Sequence, residues 1–240
     1  MNPLITSGLD TVAIRYPSHP LALELLRLTG VPLAAPSANK FGRTSPTTAD
    51  HVRSEFPGTD LIVLDGGPCE VGLESTVISF AGEDASGAEV ITVLRPGGVT
   101  EDDLREALTK WWRPTKVRRA LKASEASPGN LEHHYMPKIP LVIVRESEPD
   151  GLSPDTRKRL ETELSLATPI ARPVELTLGD DPLLAARQLY SEMRRLAESG
   201  ADLIFVRETA ANAAASEDKG IWEAVWDRLT RAASSKPNSY

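Results

Sequence analysis

One cysteine, Cys69, is all that the 240 residues contain. An internal disulfide is therefore excluded, and the composition suits a reducing compartment, the cytoplasm being the simplest expectation. No apolar run approaches the roughly 20 residues that a membrane-spanning helix needs. The opening residues, MNPLITSGLDT, lack a charged start followed by an apolar core, so no signal peptide is read there. Basic charge is not in excess: 27 Lys and Arg stand against 34 Asp and Glu, a net charge of −7. That excludes broad, charge-driven binding of nucleic acid, though not a local basic patch. Several catalytic signatures are missing as well. There is no G-x-x-x-x-G-K-[ST] phosphate loop, no G-x-G-x-x-G after a strand and no G-x-S-x-G elbow. The four histidines do not fall at metal-ligand spacing, apart from the adjacent pair His133 and His134.

What is present is ordinary for a packed domain structure, with 40% hydrophobic and 25% charged residues. The first part of the chain reads as alternating strand and helix. DTVAIRYP, VPLAAP and TDLIVLDGG read as strands, as do ESTVISF and AEVITVLR further on. HPLALELLRLTG has leucines at helical spacing and Gly30 at a helix end. SPTTADHVRSEF is read as a helix capped by Ser45 with Pro46 at its first position. TEDDLREAL starts another, with Thr100 and Asp103 as an acidic capping box. Residues 113–140 are rich in Pro, Lys, Arg and Ser and read as a long join. Strand and helix then alternate again through LVIV, DDPLLAARQLYSEMRRLAESG, ADLIFV and GIWEAVWDRLTRAA. The expectation is an α/β chain with parallel-rich sheets, divided into 1–112, a join at 113–140, and 141–240.

The residues that invite chemistry sit in loops with small polar side chains: Pro36-Ser37-Ala38-Asn39, Arg43-Thr44-Ser45-Pro46-Thr47, Gly72-Leu73-Glu74-Ser75-Thr76 and Arg95-Pro96-Gly97-Gly98. Hydroxyls and main-chain amides bind phosphate or carboxylate oxygens, and glycines let a ligand approach the backbone. Arg15 and Arg95 can each form a bidentate pair with such an anion. Loops at strand ends of an open α/β sheet form the usual ligand crevice. Taken singly, each feature has a plainer reading. Ser45 can be a helix cap, Gly97-Gly98 a turn, a lone arginine a surface charge and Cys69 an inert loop residue. The residues by themselves point to a small anionic ligand.

Four segments taken together resemble a known family. They are RYPSHPLALELLRLTGVPLAAPSANKFGRTSPTTADHV, DGGPCEVGLESTVI, VLRPGGVT and SPGNLEHHYMP. In this order they resemble the Sua5/YrdC family of threonylcarbamoyl-AMP synthases, and the last resembles its two-domain Sua5 branch. The resemblance implies an open, twisted YrdC-like sheet followed by a smaller Rossmann-like α/β domain, with 113–140 folding over the site. It implies a nucleotidyltransferase-type reaction of L-threonine, bicarbonate and ATP to threonylcarbamoyl-AMP and pyrophosphate. That intermediate would serve t6A modification of tRNA through downstream transfer proteins, with Mg2+ accompanying ATP. Carried onto this sequence, the resemblance places Thr11, Ser37, Asn39, Ser45, Arg95, His134 and Tyr135 at ATP. It places Arg15, Ala35, Ser75 and Thr76 at threonine, and names no catalytic nucleophile and no metal ligand. The family's K-x-R motif precedes the segment that opens this chain. The expectation is therefore a YrdC-like domain lacking its amino-terminal part, with impaired activity. Two alternatives stand beside this: an inactive fragment of the synthase, or a non-catalytic RNA-binding or assembly module. The second would use Lys110, Arg113, Lys116, Arg118, Arg119 and Lys122 beside Trp111 and Trp112 for a weak tRNA contact.

Overall fold

A computed structural model describes residues 6, 10–110, 115–120, 134–209 and 220–235. In the first unit, α1 (Pro20–Thr29) starts where the His19 ring accepts a hydrogen bond from the Leu21 amide. It ends at Gly30, whose φ of 64° lets its amide turn back to the Leu26 carbonyl, as the sequence predicts. Helix α2 (Ala49–Glu55) is capped by Thr48 rather than Ser45. The Thr48 hydroxyl accepts from the His51 amide, while the Ser45 hydroxyl is engaged elsewhere. Strands β1 (Val77–Glu83) and β2 (Glu89–Arg95) pair antiparallel. The chain then enters α3 (Glu101–Thr109), where Thr100 and Asp103 exchange the expected capping-box hydrogen bonds.

Inside the stretch read as a structureless join, Thr115–Arg119 forms β3, which pairs parallel with β2 and gives the order β1-β2-β3. Alternating exposure along β3 has a period of two that is visible in TKVRR only once a partner strand is known. Residues 113–114 and 121–133 of that stretch, and Trp111, Trp112, Arg113 and Lys122 of the basic run, lie outside the described residues.

Three expected strands are absent. Residues 11–18, 32–36 and 59–66 are irregular, and none of them pairs with a strand among the described residues. Ile14, Tyr16, Leu33, Leu61, Ile62 and Leu64 are exposed. An apolar run makes a strand only when neighbouring backbone supplies a ladder, and none of the described residues supplies one here.

The second unit is built the other way round. Strands β4 (Leu141–Arg145), β5 (Pro173–Glu175) and β6 (Leu203–Glu208) form an all-parallel sheet in the order β4-β6-β5. Helix α4 (Pro154–Glu163) lies between β4 and β5 in sequence, α5 (Pro182–Glu198) precedes β6, and α6 (Ile221–Ala232) ends the fold. Both faces of the sheet are covered. Leu141, Ile143, Ile204 and Val206 pack with Leu189, Met193, Val225 and Leu229 of α5 and α6. Val142, Val144, Leu203 and Phe205 pack with Leu152, Leu160 and Ile170. That is why LVIV and LIFV are continuous apolar runs rather than alternating ones. The first core also takes in Tyr135 and, at its margin, Leu73, so it reaches across to the first unit. No helix among the described residues is long and apolar enough to cross a membrane.

Candidate active site

The site is assembled where four loops of remote sequence meet the buried faces of α5 and α6. The loop at 72–76 and the loop at 95–99 lie backbone to backbone. A Cβ on Gly97 would sit 2.4 Å from the Glu74 carbonyl oxygen and from the Thr76 nitrogen, so only glycine permits this approach. Arg95, which is buried, donates from Nε and a terminal nitrogen to the Ser75 carbonyl at 3.2 and 2.8 Å. The Thr76 hydroxyl donates to the Val99 carbonyl (2.6 Å) and accepts from the Val99 amide (3.0 Å). Two loops separated by about twenty residues are thereby stapled into one surface.

Glu74 is the hub of that surface. Its carboxylate accepts from the Ser45 hydroxyl at 2.7 Å, from the Tyr190 hydroxyl at 3.1 and 3.0 Å, and from Arg228 Nε at 2.9 Å. Burial pushes the Glu74 carboxyl up, but the Arg228 charge and the Ser45 and Arg228 hydrogen bonds outweigh it and hold the group below its ordinary range. Burial, reinforced by Glu74, raises the Tyr190 phenol well above its usual value, so it stays a donor. Arg228 is fully buried. Besides Glu74 it donates to the Pro96 carbonyl (2.9 Å) and to Asp227 (2.8 Å), and it lies 5.5 Å from the centre of the Tyr135 ring.

The third loop is 42–47, which carries Ser45, and the fourth is the segment from His134 to Pro137, which lies against it. Met136 exchanges backbone hydrogen bonds with Gly42 and Thr44, and the Thr44 hydroxyl donates to the Tyr135 carbonyl. The His134 amide donates to the Arg231 carbonyl. Arg194 of α5 fastens the same edge, donating to the Thr44 carbonyl and pairing with Glu55 at 2.8 Å. Tyr135 stacks on Tyr190 with ring centres 5.7 Å apart and has φ of 68°, an uncommon conformation for a non-glycine residue. Its hydroxyl and the Nδ1 atom of His134 are buried without a hydrogen-bond partner. Such orphans are rare in folded proteins and call for a water or a ligand. Burial, with the Arg95, Arg231 and Arg228 charges, pulls the His134 ring below its ordinary value against the pull of Glu74. The ring is therefore neutral near pH 7. Guanidiniums of Arg95, Arg228 and Arg231 face the carboxylates of Glu74 and Asp227, leaving the cluster cationic.

Of the residues singled out from sequence, the fold brings together Ser45, Ser75, Thr76, Arg95, His134 and Tyr135. Ser75 is exposed, whereas Tyr135 is enclosed between the units instead of covering an open crevice. The Asn39 amide is used to shape its own loop, donating to the Lys40 and Arg43 carbonyls. Thr11, Arg15, Ala35 and Ser37 lie on the exposed irregular stretch, and none of them is hydrogen-bonded or ion-paired to the cluster among the described residues. Glu74 is named from sequence only as a member of its loop, with no role of its own, and Tyr190, Arg194 and Arg228 are not singled out there at all. A signal existed for the arginine in α6: Arg228 stands three residues after Val225 and one before Leu229, on the apolar stripe of its helix. The basic run does not form a free patch in its described part. Lys116 pairs with Asp84, Arg119 with Glu101 and Glu223, and Arg118 with the Thr92 hydroxyl. Among the described residues no group of three or more His, Cys, Asp or Glu could hold a metal ion.

Comparison with known proteins finds two family models along the chain. Residues 1–97 match the Sua5_yciO_yrdC family model, described as telomere recombination. Residues 99–234 match the model of the threonylcarbamoyl-AMP synthase C-terminal domain. The chain belongs to the Sua5/YrdC family. A threonylcarbamoyl-AMP synthase of Bacillus subtilis is 42% identical over 150 residues, covering 61% of this chain and 40% of the relative. One from Pyrococcus abyssi is 31% identical over 242 residues, covering 95% of this chain and 66% of the relative. The crystal structure of P. abyssi Sua5 complexed with L-threonine superposes with a TM-score of 0.71 at 28% identity, over 98% of this chain and 68% of that one. The chain thus spans less than two thirds of the length of these curated Sua5 relatives.

Proposed function

We propose that the cluster around Glu74 is the part of an L-threonylcarbamoyladenylate synthase site that holds ATP and threonine. The observation that carries this is the pair of buried polar atoms without partners, Tyr135 Oη and His134 Nδ1, in a cationic cluster bordered by the exposed Ser75. Polar groups left unpaired beside fixed guanidiniums suit a ligand with both anionic oxygens and neutral acceptors, as a nucleotide has. In the proposed reaction the threonine amine adds to bicarbonate with loss of water, giving a carbamate. A carbamate oxygen then attacks the α-phosphorus, and the electron pair of the broken α–β bond leaves with pyrophosphate. Such a step needs positioning and charge stabilisation rather than a protein nucleophile.

Arg95, Ser45, His134 and Tyr135 take the nucleotide side in this reading, and Ser75 the threonine side. Thr76 acts by stapling the two loops, since its hydroxyl is already engaged at Val99. Thr11, Ser37 and Asn39 at ATP, and Arg15 and Ala35 at threonine, belong to the reading only if their exposed stretch closes onto the cluster. Mg2+ would be carried by the triphosphate. The product would pass to transfer proteins of tRNA t6A modification in the cytoplasm, and the units would divide near 1–112 and 141–240. Calorimetry with ATP and with L-threonine, followed by pyrophosphate release dependent on threonine, bicarbonate and ATP, tests the proposal. Saturable binding that falls about a hundredfold in Arg95→Ala is expected. Absence of binding by both ligands would overturn it.

A further inference from the structure

We propose that Arg228 is a positioning residue, and that through it the second unit fixes the spacing between the loops at 72–76 and 95–99. The inference rests on the ligand-cradle reading above and names the group that sets the cradle's dimensions. A guanidinium that is fully buried needs several well-placed acceptors, because leaving it unpaired is strongly unfavourable. Arg228 has them on two different loops. Its Nε reaches the Glu74 carboxylate and a terminal nitrogen reaches the Pro96 carbonyl, both at 2.9 Å. The planar fork therefore measures the separation of Glu74 from Pro96. Pro96 follows Arg95, the cation that grips the Ser75 carbonyl, so a shift of one loop relies on the other. The same guanidinium lies over the Tyr135 ring, whose own hydroxyl has no partner. Tyr190 of α5 adds a second tether to Glu74 from the same unit. Stability alone does not call for this arrangement, since apolar side chains of similar volume often replace a buried ion pair without loss. What apolar side chains cannot reproduce is a directional bond to each loop.

The test uses the full chain with Arg228→Lys, which keeps the charge and loses the fork. It also uses Arg228→Met combined with Glu74→Leu, which removes both charges and leaves Asp227 paired to Arg231. Two quantities are read: hydrogen exchange of the Val99 amide, bonded to the Thr76 hydroxyl, and affinity for ATP and for L-threonine. Exchange at Val99 should quicken about tenfold or more in both variants, while amides of β4 and β6 keep their protection. Affinity should fall by between about tenfold and a hundredfold, the scale of displacing a site by about 1 Å. Unchanged Val99 exchange with unchanged affinity overturns the proposal. So does a uniform rise that includes β4 and β6, or failure of both variants to fold, because Arg228 would then be a stabilising residue only. If the parent chain binds neither ligand, the functional reading falls, and the Val99 exchange still decides the positioning role.

Discussion

Leu61-Ile62-Val63-Leu64 and Leu141-Val142-Ile143-Val144 are nearly the same peptide, and the fold treats them in opposite ways. The second is β4, with exposures of 0, 0, 6 and 2%. In the first, Leu61, Ile62 and Leu64 are 51, 87 and 60% exposed and form no strand. β4 has β6 alongside it, α5 and α6 on one face and α4 on the other. Residues 61–64 pair with no strand among the described residues, and the contact nearby is made by Gly66, whose carbonyl lies 3.4 Å from the ring of His19 at the start of α1. Local sequence permits a strand in both places, and long-range pairing grants it in one.

The sharpest way to break this comparison is to truncate one buried and one exposed side chain. Phe205→Ala, in the buried centre of β6, should cost about 3–5 kcal/mol of unfolding free energy. Ile62→Ala should stay within about 0.5 kcal/mol. Urea titration followed by circular dichroism distinguishes the two, and a cost at Ile62 comparable to that at Phe205 would mean that residues 61–64 are packed in solution.

A smaller effect separates a cap from a site residue. Thr48→Ala removes the helix cap of α2 and should cost about 1 kcal/mol while leaving ligand affinity alone. Ser45→Ala removes the donor to Glu74, so its main effect should appear in ATP and threonine affinity measured by calorimetry. Equal effects of both changes on affinity would return Ser45 to a local structural role.

The smallest effect is a pH slope contributed by two half-buried histidines, His51 of α2 and His134. Burial lowers the folded-state values of His134 and His51 below the ordinary 6.5. The folded state thus binds fewer protons than the unfolded state just below that pH. Their contribution is present above pH 6.5 and is lost as pH falls through the folded values. Glu74, held below its ordinary 4.5, adds a loss of the same sign at lower pH. Denaturant midpoints measured between pH 7.5 and 5, titrated with and without His51→Gln and His134→Gln, should show a decline that the paired substitution flattens. An identical slope in the variant would reject this assignment.

Much of the second unit was legible because its signals are local and strong. α5 and α6 have apolar stripes at helical period, and β4 and β6 are short apolar runs of strand length. Gly30 and the Thr100–Asp103 box were equally readable, being encoded within a few residues. The cap of α2 was misread because Ser45 and Thr48 are chemically interchangeable there, and the choice was made by Glu74, twenty-nine residues away from Ser45. Strand β3 and the tethers at Tyr190, Arg194 and Arg228 were missed for a related reason, since each owes its role to a partner remote in sequence.

The sequence by itself determined β4, β6, α5 and α6 of the second unit, though not α4 or β5, together with the family and the small polar loops from which a ligand cradle could be made. Only the tertiary structure decided that Glu74 is the hub, that Tyr135 is enclosed rather than a surface flap, and that Arg228 joins two loops from the far end of the chain. The reason is one of range. Caps, turns and apolar periodicity are set by neighbours a few residues apart. A buried charge or an apolar strand is tolerated only where distant backbone and side chains supply its partners.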